Sequence, residues 1–279
     1  MVTDRVELWD KYHKRETRQK ESDLSKDGWM TDSGLSYTED ALYVCDGIKM
    51  KEGNLKNMED YYKKLLSTAD YLSEEAEKKG GTGDAVKEII KKYVANENIE
   101  YVSGAYNLLD TIDTNKGNCL SKSTLFAGLA EMMDYDLFSG LRAVSIPGHI
   151  FVRIKGNPDK DVETIVKYKH MEYISAGRGN EEPIGRCISD ILYSFYYDSK
   201  TKEDGERKGG EKILNKILKR WPTHINALTE RAKGFLKNNQ LYEAEQDINT
   251  ALSVDPNSLN AQSIKVSLEN KKINNSAIK

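Results

Sequence analysis

Little in this sequence could supply a covalent or metal framework. Three of its 279 residues are cysteine, namely Cys45, Cys119 and Cys187. An odd, sparse set without a C-x-x-C pair argues against a disulfide frame or zinc knuckle and reads as reduced thiols in a cytoplasm. Five prolines exclude collagen-like chains and proline-rich disorder, and they leave room for long helices. No run approaches the ~18 apolar residues of a membrane span. The start, Met1-Val2-Thr3-Asp4-Arg5, lacks the hydrophobic segment of a secretory signal. An excess of one charge is missing too. With 42 basic residues against 45 acidic ones and a formal charge of -3, the chain is poorly suited to coating DNA or RNA. Its 16 tyrosines are spread out, without the basic interleaving of a nucleic-acid face. Neither a membrane nor a nucleic-acid partner is expected.

What is present is a polar chain that still holds a core: 38% hydrophobic, 31% charged, mean hydropathy -0.68. Its length allows one to two domains at roughly 150 residues each. Residues 1–27 mix seven basic with seven acidic residues and little apolar material, so they read as a peripheral charged arm. Helical spacing begins near Thr38, a candidate N-cap, with Ala41, Leu42, Cys45 and Ile48 on one face. A second helix runs from about Met58 to Lys79, stopped by Gly80-Gly81, and a third starts near Asp84 on Val86, Ile89, Ile90 and Tyr93. After Cys119 a helical stripe appears at once (Leu125, Phe126, Leu129, Met132, Met133). Three β-rich runs follow: Leu141 to Ile146, Ile150 to Ile154, and Val162 to Val166 after the turn signal Gly156-Asn157-Pro158. Helices followed by successive strands are an α+β signature. Ser175 to Gly185 reads as a loop, Ile188 to Tyr197 as helix, Ser199 to Gly210 as loop and Ile213 to Trp221 as helix.

Beyond Trp221, the residues Leu228, Ala232, Phe235, Ala244, Ile248, Ala251 and Pro256 fall at the spacings of a tetratricopeptide repeat. Its helices would cover about 225–238 and 241–253, with a capping helix from Ser258 to Glu269. Residues 205–279 hold 13 basic and 8 acidic residues, against 29 and 37 in the remainder. A mildly basic helical tail could guide an acidic peptide or protein partner, or be ordinary surface.

The chemistry concentrates at Cys119, His149 and a nearby acid. Cys119 stands between a glycine turn and the first turn of an apolar helix, where unpaired N–H groups and the helix dipole support an anionic sulfur. Its own N–H could donate to the oxyanion of a tetrahedral intermediate. His149 opens a strand after Pro147-Gly148 and shares a face with Phe151 and Arg153, so it could serve as general base and then acid. Glu163 in the next strand could orient the imidazole, and Asp161, two residues away on the same face, could do so instead. The alternatives are weaker. Cys45 and Cys187 read as structural thiols. His170 and His224 lack an acidic or thiol partner at ligand spacing, and His224 reads as a surface residue between repeat helices. Zinc on Cys119, His149 and Glu163 would lack a fourth ligand. Gly80-Gly81-Thr82-Gly83 lacks the lysine of a phosphate loop and reads as a helix breaker.

The runs Gly117-Asn118-Cys119-Leu120-Ser121, Leu125-Phe126-Ala127, Leu129-Ala130 and Pro147-Gly148-His149-Ile150-Phe151-Val152-Arg153 resemble the transglutaminase-like superfamily. More closely they resemble its SirB-type branch, in which tetratricopeptide helices follow the core. The likeness spans about residues 38 to 270. It implies a papain-like core, with a nucleophile helix packed on a small antiparallel sheet, over residues 36–186. A tetratricopeptide-like region over 187–279 would follow, and an arm over 1–35 would precede. It also implies Cys119 as nucleophile, His149 as base and acid, and Glu163 as orienter, although superfamily enzymes more often carry aspartate there. Many SirB-type relatives lack the cysteine that this chain keeps. The expected activity is thiol-dependent acyl transfer or hydrolysis at an amide or peptide bond, with no metal or organic cofactor implied. The alternative is a non-catalytic interaction scaffold that uses the repeat helices and a vestigial pocket.

Overall fold

A computed structural model of the chain describes residues 37–51, 58–146, 149–155, 157–162, 164, 180–202 and 210–277. The arm expected over residues 1–35 lies outside the described residues. The fold is α+β and mostly helical, in two compact units, one ending at Ile188 and the other beginning at Ser189. Among the described residues no helix is long and apolar enough to cross a membrane.

Among the described residues the first unit opens with three helices: α1 (Tyr37–Lys51), α2 (Met58–Glu77) and α3 (Gly83–Lys92). Gly80 and Gly81 end α2 with positive φ angles of 98° and 62°, which residues with a Cβ avoid. Thr82 then caps α3 by accepting from the Ala85 N–H. A π-helical turn (Tyr93–Glu97) leads to β1 (Glu100–Tyr101), α4 (Leu108–Thr114) and β2 (Lys116–Gly117), with β1 and β2 paired in parallel. Next come α5 (Cys119–Met133), the short α6 (Tyr135–Ser139), β3 (Leu141–Ile146), β4 (His149–Ile154), β5 (Asn157–Val162) and β6 (Asn180–Pro183). The last four strands form one antiparallel sheet in the order β5-β4-β3-β6.

Two strands differ from the sequence reading. The third strand is displaced toward the N-terminus: Asn157 already pairs with Ile154, so the chain reverses before the Asn157-Pro158 turn signal. Proline is tolerated there because β5 lies at the sheet edge, where one N–H can be spared. Of the expected run, Val162 ends the strand, Thr164 forms a bend, and residues 163, 165 and 166 lie outside the described residues. The expected loop from Ser175 contains β6. Its sequence Asn-Glu-Glu-Pro shows no alternation of apolar residues; it is a strand because its main chain pairs with β3.

Helix α5 is the centre of this unit. Every residue from Leu120 to Glu131 is buried, because β4 packs on it from one side and α1, α2, α3, α4 and α6 from others. A helix enclosed all round must be apolar on every face or have its polar groups partnered, and α5 does both. Leu125, Phe126, Leu129 and Ala130 supply apolar core. The Lys122 ammonium donates to the carbonyls of Ala95 (3.3 Å) and Ile99 (2.7 Å), closing off the π-helical turn; burial lowers its pKa. At the other end, Glu131 accepts from the Tyr37 N–H (2.9 Å), the Thr38 N–H (2.8 Å) and the Thr38 hydroxyl (2.6 Å). The N-terminus of α1 is therefore capped by a carboxylate 93 residues away, and Thr38, the expected N-cap, lies inside the helix and acts as a donor. A Cβ on Gly128 would sit 3.2 Å from the Thr38 hydroxyl oxygen, so glycine lets α1 and α5 cross closely.

The second unit contains the rest of α7 (Arg186–Lys202), then α8 (Gly210–Arg220), α9 (Ile225–Lys237), α10 (Leu241–Val254) and α11 (Leu259–Ala277). Helix α7 continues past Tyr197 into the segment read as a charged loop. Small residues allow α9, α10 and α11 to pack: Ala232, Ala244, Ile248, Ile264 and Leu268 form a buried cluster flanked by Phe235 and Leu252. Arg231 spans α9 and α10 with two hydrogen bonds to Asp247, at 2.8 and 2.7 Å.

Glu131→Ala is expected to cost about 3 kcal/mol in urea unfolding, since three buried donors lose their acceptor. Burial pushes the Glu131 carboxyl from its ordinary 4.5 up to about 7, against hydrogen bonds from Thr38 and Tyr37 that pull it down. An acid that titrates higher in the folded chain binds more protons there than in the unfolded chain, so its contribution weakens as pH rises between those values and levels off above them. Urea midpoints of the wild type should therefore fall relative to those of Glu131→Gln between pH 5 and 7, and then run parallel.

Candidate active site

The approach to Cys119 is built by backbone contacts and one small residue. Strand β2 brings the chain to Gly117, whose carbonyl accepts from the Val102 N–H at 3.1 Å. A Cβ there would lie 2.7 Å from Ser121 Oγ, closer than real contacts come, and 3.0 Å from Thr111 Oγ1, so any larger residue forces these side chains to shift. Asn118 is the N-cap of α5. Its Oδ1 accepts from the N–H groups of Leu120 (2.9 Å) and Ser121 (3.1 Å), and the Ser121 hydroxyl accepts from the Asn118 N–H in return. That is a reciprocal capping box. The Asn118 side-chain amide also donates to the Ser103 carbonyl, and the Ser121 hydroxyl to that of Ala105.

Cys119 is the first residue of α5 and is partly exposed, unlike the buried Cys45 and Cys187. Asn118 takes the N–H groups of Leu120 and Ser121 through its side chain and that of Lys122 through its carbonyl. The Cys119 N–H is then the leading amide of the helix, the one of the first four with no acceptor among the described residues.

His149 is the first residue of β4, the strand packed on α5, and is 6% exposed. Its ring stacks on Phe151 with centroids 6.0 Å apart, and the Arg153 guanidinium lies 5.7 Å from the same Phe151 ring. The three share one strand face, as their alternation requires. One turn into α5, Ser123 Oγ lies 3.5 Å from Thr164 Oγ1. Thr164 follows Val162, which pairs with Val152, so the chain past β5 heads toward the His149 end of β4. The first turns of α5 are thus tied to that end of the sheet.

The two candidate acids separate. Glu163 lies outside the described residues. Asp161 gives both oxygens to Arg153, at 2.6 and 2.9 Å. Arg153 is four residues from His149, ~13 Å along an extended strand, so Asp161 orients the guanidinium and not the imidazole.

His224 departs from its reading as a partnerless surface residue. It is fully buried in the second unit, where its Nδ1 accepts from the Ala227 N–H (3.1 Å) to cap α9 and its Nε2 lies 2.9 Å from Asp190. Because Nδ1 accepts, the ring proton sits on Nε2 and is donated to the carboxylate. The partner is 34 residues upstream, which no local spacing could reveal. His170 lies outside the described residues. Among the described residues no three His, Cys, Asp or Glu side chains gather as a metal site requires. A pocket of about 160 Å³ lies elsewhere in the first unit, lined by Lys64, Thr68, Tyr93, Asp113 and Leu125 among others. It includes neither Cys119 nor His149.

Comparison of the chain with family models, curated proteins and solved structures gives no match.

Gly117→Ala should lose about 1–3 kcal/mol of stability in urea unfolding, since Ser121 and Thr111 must both move to admit a methyl group. Asp161→Ala should lower the thermal midpoint by removing the carboxylate that pairs with Arg153 and leave the alkylation rate of Cys119 unchanged. A slowed rate would return Asp161 to the imidazole.

Proposed function

We propose that this chain is a cysteine-dependent enzyme of transglutaminase-like type, acting on an amide or peptide carbonyl. The observation that carries the reading is the setting of Cys119: a partly exposed sulfur at the mouth of an otherwise enclosed helix, beside a leading N–H that the cap leaves over. It is supported by a histidine at the start of the strand packed on that helix.

In the proposed cycle the His149 imidazole takes the Cys119 proton as the sulfur attacks the carbonyl carbon. The carbonyl oxygen becomes an oxyanion and accepts from the Cys119 N–H. As the oxyanion collapses, the C–N bond breaks and the imidazolium protonates the departing amine, leaving a thioester. Water or a second amine then attacks the thioester. Its proton passes to His149 and onward to the sulfur, which regenerates the thiol. Glu163 is assigned to orient the imidazole. The core is read as papain-like and the second unit as tetratricopeptide-like hairpins that hold a peptide or protein partner. A reduced, cytoplasmic setting suits an unblocked thiol nucleophile.

Alkylation by iodoacetamide, followed by peptide mapping, tests this. Cys119 should react at pH 6.5 about tenfold faster than the thiol of a short unstructured peptide. His149→Gln should slow it toward the peptide's rate. Cys119→Ala should retain the fold, by circular dichroism, and lose amide hydrolysis or transamidation. A peptide-like rate that His149→Gln leaves unchanged would overturn the enzyme and leave a docking scaffold.

A further inference from the structure

Helix α11 meets its own unit with one side only. At about 100° per residue, Ala261, Ile264 and Leu268 fall on one side, and all three are buried. Leu259, Val266 and Ile273 recur at intervals of seven and drift only about 20° per interval, down the opposite side. They are 81%, 61% and 64% exposed. Around this apolar line stand Gln262, Ser263, Asn270 and Asn274, exposed and uncharged, with Glu269 at the rim.

The lysines of α11 turn elsewhere. Lys271 donates to the Leu236 carbonyl, Lys272 pairs with Glu245 at 2.7 Å and also with Glu269 at the rim, at 3.5 Å, and Lys265 points about 100° away from the line. In a chain that is 31% charged, such a face has the composition of a contact surface, whose centre is depleted of charge. It is not the charged outer face that terminates a helical stack.

We infer that this face docks on the same face of a second copy, antiparallel about a two-fold axis through Val266. The face is self-complementary in that direction, as an isologous contact demands. Leu259 of one copy meets Ile273 of the other and Val266 meets Val266. On one side of that line Gln262 meets Glu269, to which its side-chain amide donates, and on the other Ser263 meets Asn270. No like charges face each other, and antiparallel helices oppose their dipoles. An oppositely charged partner finds no field on this face to draw it. A helix of this length spans ~28 Å, so the contact falls below the ~1,200 Å² of a standard interface and the association is reversible.

Single cysteines in the 279-residue chain, with Cys119→Ser so that the remaining native thiols are buried ones, test the geometry. Val266→Cys should form a disulfide-linked dimer on mild oxidation about tenfold faster than the off-face control Lys265→Cys, because only the axial position brings two Cα atoms within ~7 Å. Leu259→Cys and Ile273→Cys should each fail to cross-link alone and should cross-link when mixed. Val266→Asp should abolish any rise of apparent mass with concentration in sedimentation equilibrium. Self-linking of Leu259→Cys as fast as the mixture would overturn the antiparallel arrangement. Cross-linking of Val266→Cys no faster than the control would overturn the second copy as occupant.

Discussion

Complete enclosure of α5 is the constraint from which the first unit follows. A helix with solvent on no side cannot hide an unpaired charge, yet α5 carries an ammonium and a carboxylate. Each is tolerated because a neighbouring element presents the end that suits it. Lys122 meets carbonyl oxygens around the π-helical turn, and Glu131 meets the N–H groups that open α1. The signs match the polarity of the neighbours' chains: cation toward carbonyls, anion toward amides. The charges on α5 therefore select the direction in which its neighbours run as well as stabilising them. Apolar packing alone could not do this, because it is indifferent to chain direction.

The same enclosure sets apart the residue that escapes it at the N-terminal end of the helix. Cys119 sits where the buried column reaches the surface, and its backbone is held by the Asn118–Ser121 box and by Gly117 behind it. Those contacts hold the backbone from which the sulfur and its N–H project, the preorganisation that the proposed oxyanion site requires. The opposing strand is equally constrained, since His149, Phe151 and Arg153 share a face whose far end is closed by the Arg153–Asp161 pair.

Whatever rested on local pattern was legible in the sequence. The period-3.6 stripes located the longer helices but not α4 or α6, the glycine pair ended α2, and alternation assigned His149, Phe151 and Arg153 to one face of a strand. The Gly117-Asn118-Cys119 run was readable as a turn into a helix because its cap is local. Elements defined by distant main-chain partners were not legible. Strand β6 has no side-chain signature, and β5 begins at Asn157-Pro158, a pair that reads as a turn until its partner strand is known. Glu131 as the cap of α1, Lys122 as a clamp, and Asp190 as the partner of His224 join residues that only the folded chain brings together. A buried polar residue looks the same in one dimension as a solvated one.

The sheet order has a further bearing on how an extended segment could approach. Its two outer strands, β5 and β6, each contain a proline, Pro158 and Pro183, in otherwise acidic or mixed-charge sequence. Each proline removes a main-chain donor from an outer strand, and the surrounding charge discourages a stranger from zipping on. Among the described residues the sheet ends at these four strands. A peptide recruited to this unit gains little by extending the ladder, and its recognition must come from side chains that cross the strand direction.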